Sequence, residues 1–484
     1  MKKIALIPLG LLPALAFAAS SGTFIGTNGA SWQTAANWQG GAYPALAGDN
    51  TYNIAIDANN AIMNLRYNGA YSGGGNRTMN ITMGDGVENA TIMSANSADA
   101  FTTTLNFASL SGTRNIYLTD EDGSSANKVS ISGDIKAGTS LYINSAKYNL
   151  SNWDSSYMNG TVYVNAGTAE APITIKRFSS AGSVYISAGH ALRSTAAMNL
   201  QGANSMIDIA AGATYTAALG VRSKNYDVKG SLIVTGARPY KTAADSINFM
   251  VTGKAVFREG STFSNTYNTP SGARPVANGS GASIYSYASA GALSSAQAIQ
   301  ISGGATLVLN SQNAWAIGDG GEQNFLVSLY TMETAEAGHV GDGATTGNLR
   351  IGLDADTGAT ISVAKNTIDN LKLYANSTLN LWLGGNDVEV VHLTQVGDTS
   401  NPFSLVLQDD IERGSLIVQD FNGLVTVDDV RSYISTGAGT TGELFVESVS
   451  DSFYIYTVAV PEPAEWAFIF GALALGAAAY RRRK

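Results

Sequence analysis

The sequence predicts an all-β chain built as a parallel β-solenoid, and three observations carry that prediction. Residues 162–167 (VYVNAG), 184–189 (VYISAG) and 207–212 (IDIAAG) align without gaps, with glycines 22 and 23 residues apart. Gly236, after 232–235 (LIVT), follows 24 residues later. Shorter versions recur at 129–133 (VSISG), 249–253 (FMVTG) and 299–303 (IQISG). Each places apolar residues two apart, hence on one strand face, before a glycine suited to the turn. A repeat of 20 to 25 residues without helical periodicity reads as solenoid rungs, each covering its neighbour's apolar face. A string of β-sandwiches is the competing architecture, since strand pairs there also recur at short spacing.

Composition agrees with short strands and tight turns. Of 484 residues, 45% are hydrophobic and only 13% charged, while 53 are glycine. Repeat regularity is poorest over 254–298, where a long loop or excursion is expected. Cysteine is absent, which excludes disulfides, thiolate metal sites and cysteine nucleophiles.

At the N-terminus, Lys2 and Lys3 precede an apolar run from Ile4 to Phe17, and Ala16 and Ala18 supply the small residues of a signal-peptidase site. Residues 1–18 therefore read as a signal helix cleaved after Ala18, with signal peptidase as a partner. Residues 19–60 read as an N-terminal cap, since an open terminal rung would leave N–H and C=O groups unpaired. Trp32 and Trp38 lie in this stretch, before Pro44 and an alternating Tyr52, Ile54, Ile56. They are expected to close the cap or, alternatively, to contact sugar rings. This W…NW…P…GD pattern resembles the start of many bacterial surface β-solenoids, including autotransporter-like passengers.

The body, 61–400, is followed by 401–458, where polar turns at Asp409-Asp410 and Asp428-Asp429 break the rhythm; this stretch is expected to be a C-terminal β cap or subdomain. The tail, 459–484, holds Pro461, Glu462 and Pro463, then an uncharged stretch of 15 residues from Trp466 to Tyr480, then Arg481, Arg482, Arg483 and Lys484. As a helix the uncharged stretch covers about 22 Å, short of a ~30 Å hydrocarbon core, so it reads as a short, temporary transmembrane helix. The four cations are membrane-stop residues that keep the body on the periplasmic side.

This motif, apolar stretch and basic end resemble the PEP-CTERM sorting signal over about the last 25 residues. The resemblance implies processing by an exosortase-type membrane enzyme and delivery to the cell surface, outer envelope or extracellular space, in a setting of exopolysaccharide or other glycans. It also implies only transient attachment to the inner membrane.

Six of the 28 basic and two of the 37 acidic residues lie in the leader and tail, so the exported body is near −13. That charge disfavours nucleic acid as a partner. Three histidines (His190, His339, His392) are scattered, and no metalloprotease or serine-hydrolase motif occurs. The acidic clusters at 120–122, 354–356, 409–412 and 428–429 adjoin turns. Asp120–Asp122 and Asp354–Asp356 offer grouped oxygens for a hard cation such as calcium, without the repeated pattern of a calcium-binding β-roll. No catalytic residue and no cofactor is assigned. The expected role is structural or adhesive. The alternatives are a carbohydrate-active β-helix enzyme (a polysaccharide lyase or hydrolase), which needs carboxylates from adjacent rungs to converge, and a sugar-binding surface protein.

Overall fold

The computed structural model describes residues 21–44, 50–65, 75–94, 101–110, 112–121, 129–235, 238–239, 246–265, 274–278, 282–287, 293–295, 300–302, 304–310, 315–316, 326–329, 346–396, 398–459 and 463–482. The chain falls into two compact units, Met1–Trp153 and Asp154–Lys484.

In the first unit each coil contributes two strands. One ladder runs Ser21–Phe24, Asn50–Ile56, Gly75–Met83, Phe101–Asn106, Val129–Ser132 and Tyr148–Asn149, every neighbour parallel. The other runs Ala61–Asn64, Asn89–Ser94, Arg114–Asp120 and Thr139–Ile143. Inward positions such as Ile54, Ile81, Leu105, Ile116 and Leu141 are fully buried. The outward positions form side-chain ladders. Asn53, Asn80 and Asn106 stack in register, and the Asn80 and Asn106 amides each donate to the preceding carboxamide at 2.9 Å. A parallel, in-register stack repeats each residue about 4.8 Å away, which suits an amide that both donates and accepts.

In the second unit the early coils have three strands. The front ladder begins Thr161–Val164, Ser183–Ile186, Met206–Ile209, Asn225–Val228, Lys254–Phe257 and Ser283–Ser286. It continues through Thr306–Leu309, Thr346–Ile351, Thr378–Trp382, Ser404–Leu407 and Ile434–Thr436. A side ladder runs from Ile173–Ile175 to Leu293–Ser295, and a back ladder from Asp154–Ser155 to Leu416–Phe421. Past Leu293–Ser295 the described strands belong to the front and back ladders alone. One inward column of the front ladder is Val162, Val184, Ile207, Tyr226, Ala255, Ile284, Leu307, Leu349, Leu381 and Leu407, each opposite the next. All are buried. Fully burying a Val, Leu or Ile side chain contributes about 1.5–3 kcal/mol, so this column is a large part of the core. The turn after the first rung needs its glycine. Gly167 has φ +82°, and a Cβ there would meet the Ile173 amide nitrogen at 2.7 Å.

The alignment of 162, 184 and 207 is thus the register of the front ladder. Three expectations are corrected. The strand before Gly236 (Ser231–Val234) is a side-ladder strand paired with Thr214–Ala217, whereas the front-ladder successor of Ile207 is Tyr226; Gly236 itself is outside the described residues. Within 254–298, where a long loop or excursion was expected, the described residues carry five strands in parallel register with their neighbours. Parallel pairing also continues past residue 400 to Ile434–Thr436.

The rungs end where Gly442–Val449 and Ser452–Ala459 form an antiparallel hairpin laid along Leu416–Phe421. Between them a six-residue helix, Val427–Ser432, is N-capped by Thr426, whose hydroxyl accepts from the Asp429 amide at 3.1 Å.

The terminal expectations fare differently. Residues 1–18, with Ala16 and Ala18, are outside the described residues, as are Pro461, Glu462, Arg483 and Lys484. Pro463 opens a helix, Pro463–Arg482, that ends on Arg481 and Arg482. Among the described residues no helix is long and apolar enough to cross a membrane. The described residues do not include the side chains of residues 463–469, with which the expected short membrane-engaging stretch begins.

Candidate functional site

The outward column of the front ladder in the second unit brings together the side chains with the most chemistry. In register it reads Tyr163, Tyr185, Asp208, Asp227, Val256, Tyr285, Val308, Arg350 and Trp382. Tyr163 and Tyr185 stack at 5.0 Å between ring centres. Lys229 then lies 3.5 Å from Asp208 and 3.1 Å from Asp227, and Arg258 sits 2.9 Å from Asp227.

The column is interrupted midway. Val256 and Val308 point outward yet are buried, because a hairpin over residues 352–361 folds back on them. Its own bonds run from the Asp354 amide to the Ala359 carbonyl and from the Ile361 amide to the Gly352 carbonyl. Gly352, at φ +67°, starts it; a Cβ there would meet the Ile361 carbonyl. Four residues of earlier rungs fasten it. Arg258 reaches Asp356 at 2.5 Å, the Tyr287 hydroxyl donates to Asp354 at 2.8 Å, Asn310 exchanges two bonds with Leu353, and Lys254 donates to the Ala355 carbonyl.

Beyond the hairpin the guanidinium of Arg350 lies over the Trp382 ring, 4.0 Å from its centre. They border a cavity of about 420 Å³ lined also by Thr360, Gly384, Gly385, Asp409 and Asp410. Asp409 accepts from the Leu383 and Gly384 amides at 3.1 and 2.6 Å. Neighbouring Asp410 is filled by Thr441, Gly442 and Thr457.

The electrostatics follow from these contacts. Burial raises the Asp208 carboxyl, and Asp227 adds to it, against the opposing pull of Lys229. For Lys229 burial acts downward, but the bonds to Asp227 and Asp208 win and raise it. Asp356 is held low, first by its bond from Arg258. Asp354 is held well below the usual carboxylate range by the Thr357 amide and hydroxyl and by Tyr287. Asp410 is lowered by Thr441 and Gly442.

Trp32 and Trp38 are 0% and 2% exposed. Their rings meet edge-on at 4.5 Å, the Trp38 indole donates to the Trp32 carbonyl at 2.8 Å, and the Trp32 indole donates to the Pro44 carbonyl at 3.2 Å. Neither offers a face to a sugar, so that alternative is corrected: they fill the interior beside the terminal strand Ser21–Phe24.

His190 is bonded to the Gly167 carbonyl at 3.3 Å and His392 to Asp420 at 3.2 Å, far apart in the ladder order. His339 and Asp122 are outside the described residues. Among the described residues no group of three or more metal-ligating side chains occurs. The carboxylates of Asp354 and Asp356, the second cluster considered for a hard cation, hydrogen-bond to Tyr287, Thr357 and Arg258. Asp208, Asp227, Arg350 and Trp382 were missed as site residues. Their partners come from other coils, and only the register of the VYVNAG-type repeat pointed to a shared column.

No family model, no curated protein and no solved structure matches this chain.

Proposed function

We propose that this chain is an exported structural or adhesive β-solenoid of the cell surface or extracellular layer, delivered by its C-terminal tail and meeting glycans along its outward face. The observation that supports it best is the front ladder itself. Its inward column is apolar without interruption, and the acidic groups of the outward column bond to cations rather than standing as a free acid–base pair. Such a body is suited to holding a long polar face in place. The resemblance of 460–484 to the PEP-CTERM signal supplies the address. An exosortase-type enzyme recognises Pro461-Glu462-Pro463, while the apolar helix engages the inner membrane transiently through exposed Phe470, Leu473 and Leu475. The mature protein then leaves for the envelope or its exopolysaccharide. Replacing Pro461, Glu462 and Pro463 with alanine and following the protein by cell fractionation and terminal mass spectrometry tests this. Unprocessed protein retained in the membrane fraction is expected; unchanged processing and localisation would overturn the sorting reading.

A second reading, a carbohydrate-active β-helix enzyme, is favoured by one observation. Asp208 and Asp227 come from adjacent rungs, and the first is raised, as a general acid requires. Turnover of polysaccharides by the purified protein, abolished in both Asp208→Asn and Asp227→Asn, would establish it.

A further inference from the structure

We infer that the cavity beside Arg350 and Trp382 is a binding subsite for a hexuronate, an acidic sugar unit of a polysaccharide. The inference deepens the glycan-contact part of the proposed function and does not depend on how the protein is sorted.

The first ground is the state of Arg350. Among the described residues its guanidinium has no carboxylate or carbonyl partner, although it is half-buried and pinned on the Trp382 ring. The other cations near this face are spent: Lys229 and Arg258 on aspartates, Lys254 on the Ala355 carbonyl. Stacking orients a guanidinium without consuming its in-plane donors, leaving a planar fork suited to a carboxylate. The second ground is the cavity itself. At about 420 Å³ it lies within the usual range for small-ligand sites, ~300–1,000 Å³. The third is the acceptor on its wall. Asp409 takes one backbone amide on each oxygen, and a carboxylate offers about four lone-pair sites. Capacity therefore remains for sugar hydroxyls. Glycine at 384 and 385 lets the ligand approach the backbone, and at Gly385 a Cβ would meet nothing within 4 Å.

A simple anion such as phosphate satisfies Arg350 but brings no ring of hydroxyls to donate to Asp409 and Thr360. A neutral sugar satisfies Asp409 but leaves the guanidinium without its counter-charge. A hexuronate carries both groups on one ring, its carboxylate for Arg350 and its hydroxyls for Asp409 and Thr360.

The test is calorimetric titration of the full chain with trigalacturonate and with its methyl ester, which keeps the hydroxyls and removes the charge. Wild-type protein should bind the acid at least about tenfold more tightly than the ester. Arg350→Gln should abolish that preference with an unchanged unfolding midpoint. Arg350→Lys, which keeps the charge without the fork, should retain part of it. Arg177→Gln, in the back ladder where the guanidinium pairs with Asp154 at 2.7 Å, should leave binding unchanged. Equal affinity for acid and ester, no binding of either, or an equal loss in Arg177→Gln and Arg350→Gln would each overturn the proposal. None of these results bears on the tail.

Discussion

Asp227 stands opposite Asp208 on the next rung, and a single ammonium, that of Lys229, lies 3.1 Å from the first and 3.5 Å from the second. Two like charges directly opposed in a ladder destabilise it. One cation shared between them, with Arg258 on Asp227, turns the clash into a network whose balance depends on pH.

The sign for Asp208 is set by its raised carboxyl. The folded chain holds that proton more tightly than the unfolded one, so stability falls as pH rises from the ordinary carboxylate value through the raised one. At neutral pH the cost is fully present. Asp208→Asn should therefore be stabilising at pH 7, by no more than about 1 kcal/mol for so accessible a group, and close to neutral near pH 4. Denaturant unfolding at both values checks it; a variant that loses more stability at pH 7 than at pH 4 would refute the assignment.

Arg258 holds the hairpin over residues 352–361 across 98 positions of chain. Asp356 is lowered, so its contribution is present above the ordinary carboxylate value and is lost as pH falls through the lowered one. Arg258→Met and Asp356→Asn should each raise amide exchange within 352–361. A double-mutant cycle should give a coupling of about 0.2–1 kcal/mol, smaller in high salt. Tyr287, Asn310 and Lys254 still fasten the hairpin, so global unfolding should move little.

Two isoleucines separate core from surface. Ile207 is 1% exposed in the inward front column, and Ile233 faces outward on the side ladder. Ile207→Ala should cost about 2–5 kcal/mol, since neighbours above and below keep the cavity from collapsing. Ile233→Ala should cost under about 1 kcal/mol. Chemical denaturation of the pair decides whether the register is right, because a one-residue slip would reverse the ranking.

That register shows how far the sequence could be read. Val162, Val184 and Ile207 are legible as partners because equal spacing, alternation and a trailing glycine survive in all three. Ser231–Val234 was set on the wrong ladder because the side and front ladders use the same apolar–polar–apolar pattern. Nothing local says which face of the coil a strand occupies, or whether a coil has two strands or three. The site was less legible still. Arg350 and Trp382 are 32 residues apart where the earlier front-ladder spacing was 22 or 23, so no fixed period brings them together. Arg258 and Asp356 meet only through a hairpin folded back over earlier rungs. The acidic clusters were visible, but whether a carboxylate is spent on an amide or left for a ligand depends on those distant partners.

The Asn53–Asn80–Asn106 ladder gives a further discrimination. Asn80 both donates to Asn53 and accepts from Asn106, each at 2.9 Å. Asn80→Ala removes both bonds and should cost about 1–2 kcal/mol. Asn80→Asp keeps the shape and the acceptor but on ionising loses the donor and adds a charge against the Asn53 carbonyl, so its cost should rise as pH passes up through the carboxylate range and then level off. Equal losses for Asp at pH 3.5 and pH 7 would show that the amide ladder contributes packing alone.

The tail helix Pro463–Arg482 offers the last test. Phe470, Leu473, Leu475 and Tyr480 are 61%, 64%, 74% and 64% exposed, so these side chains add little to the core of the second unit. A variant ending at residue 459 should unfold within about 1 °C of the full chain, since a loss of 1 kcal/mol would move a domain of this size by about 2–4 °C. The same deletion should abolish partition into detergent micelles or phospholipid vesicles, because it removes a contiguous set of exposed apolar side chains. Scanning calorimetry and vesicle flotation measure the two effects separately. A drop of several degrees would mean that the helix packs on the body, and undiminished flotation would place the membrane-seeking surface elsewhere on the chain.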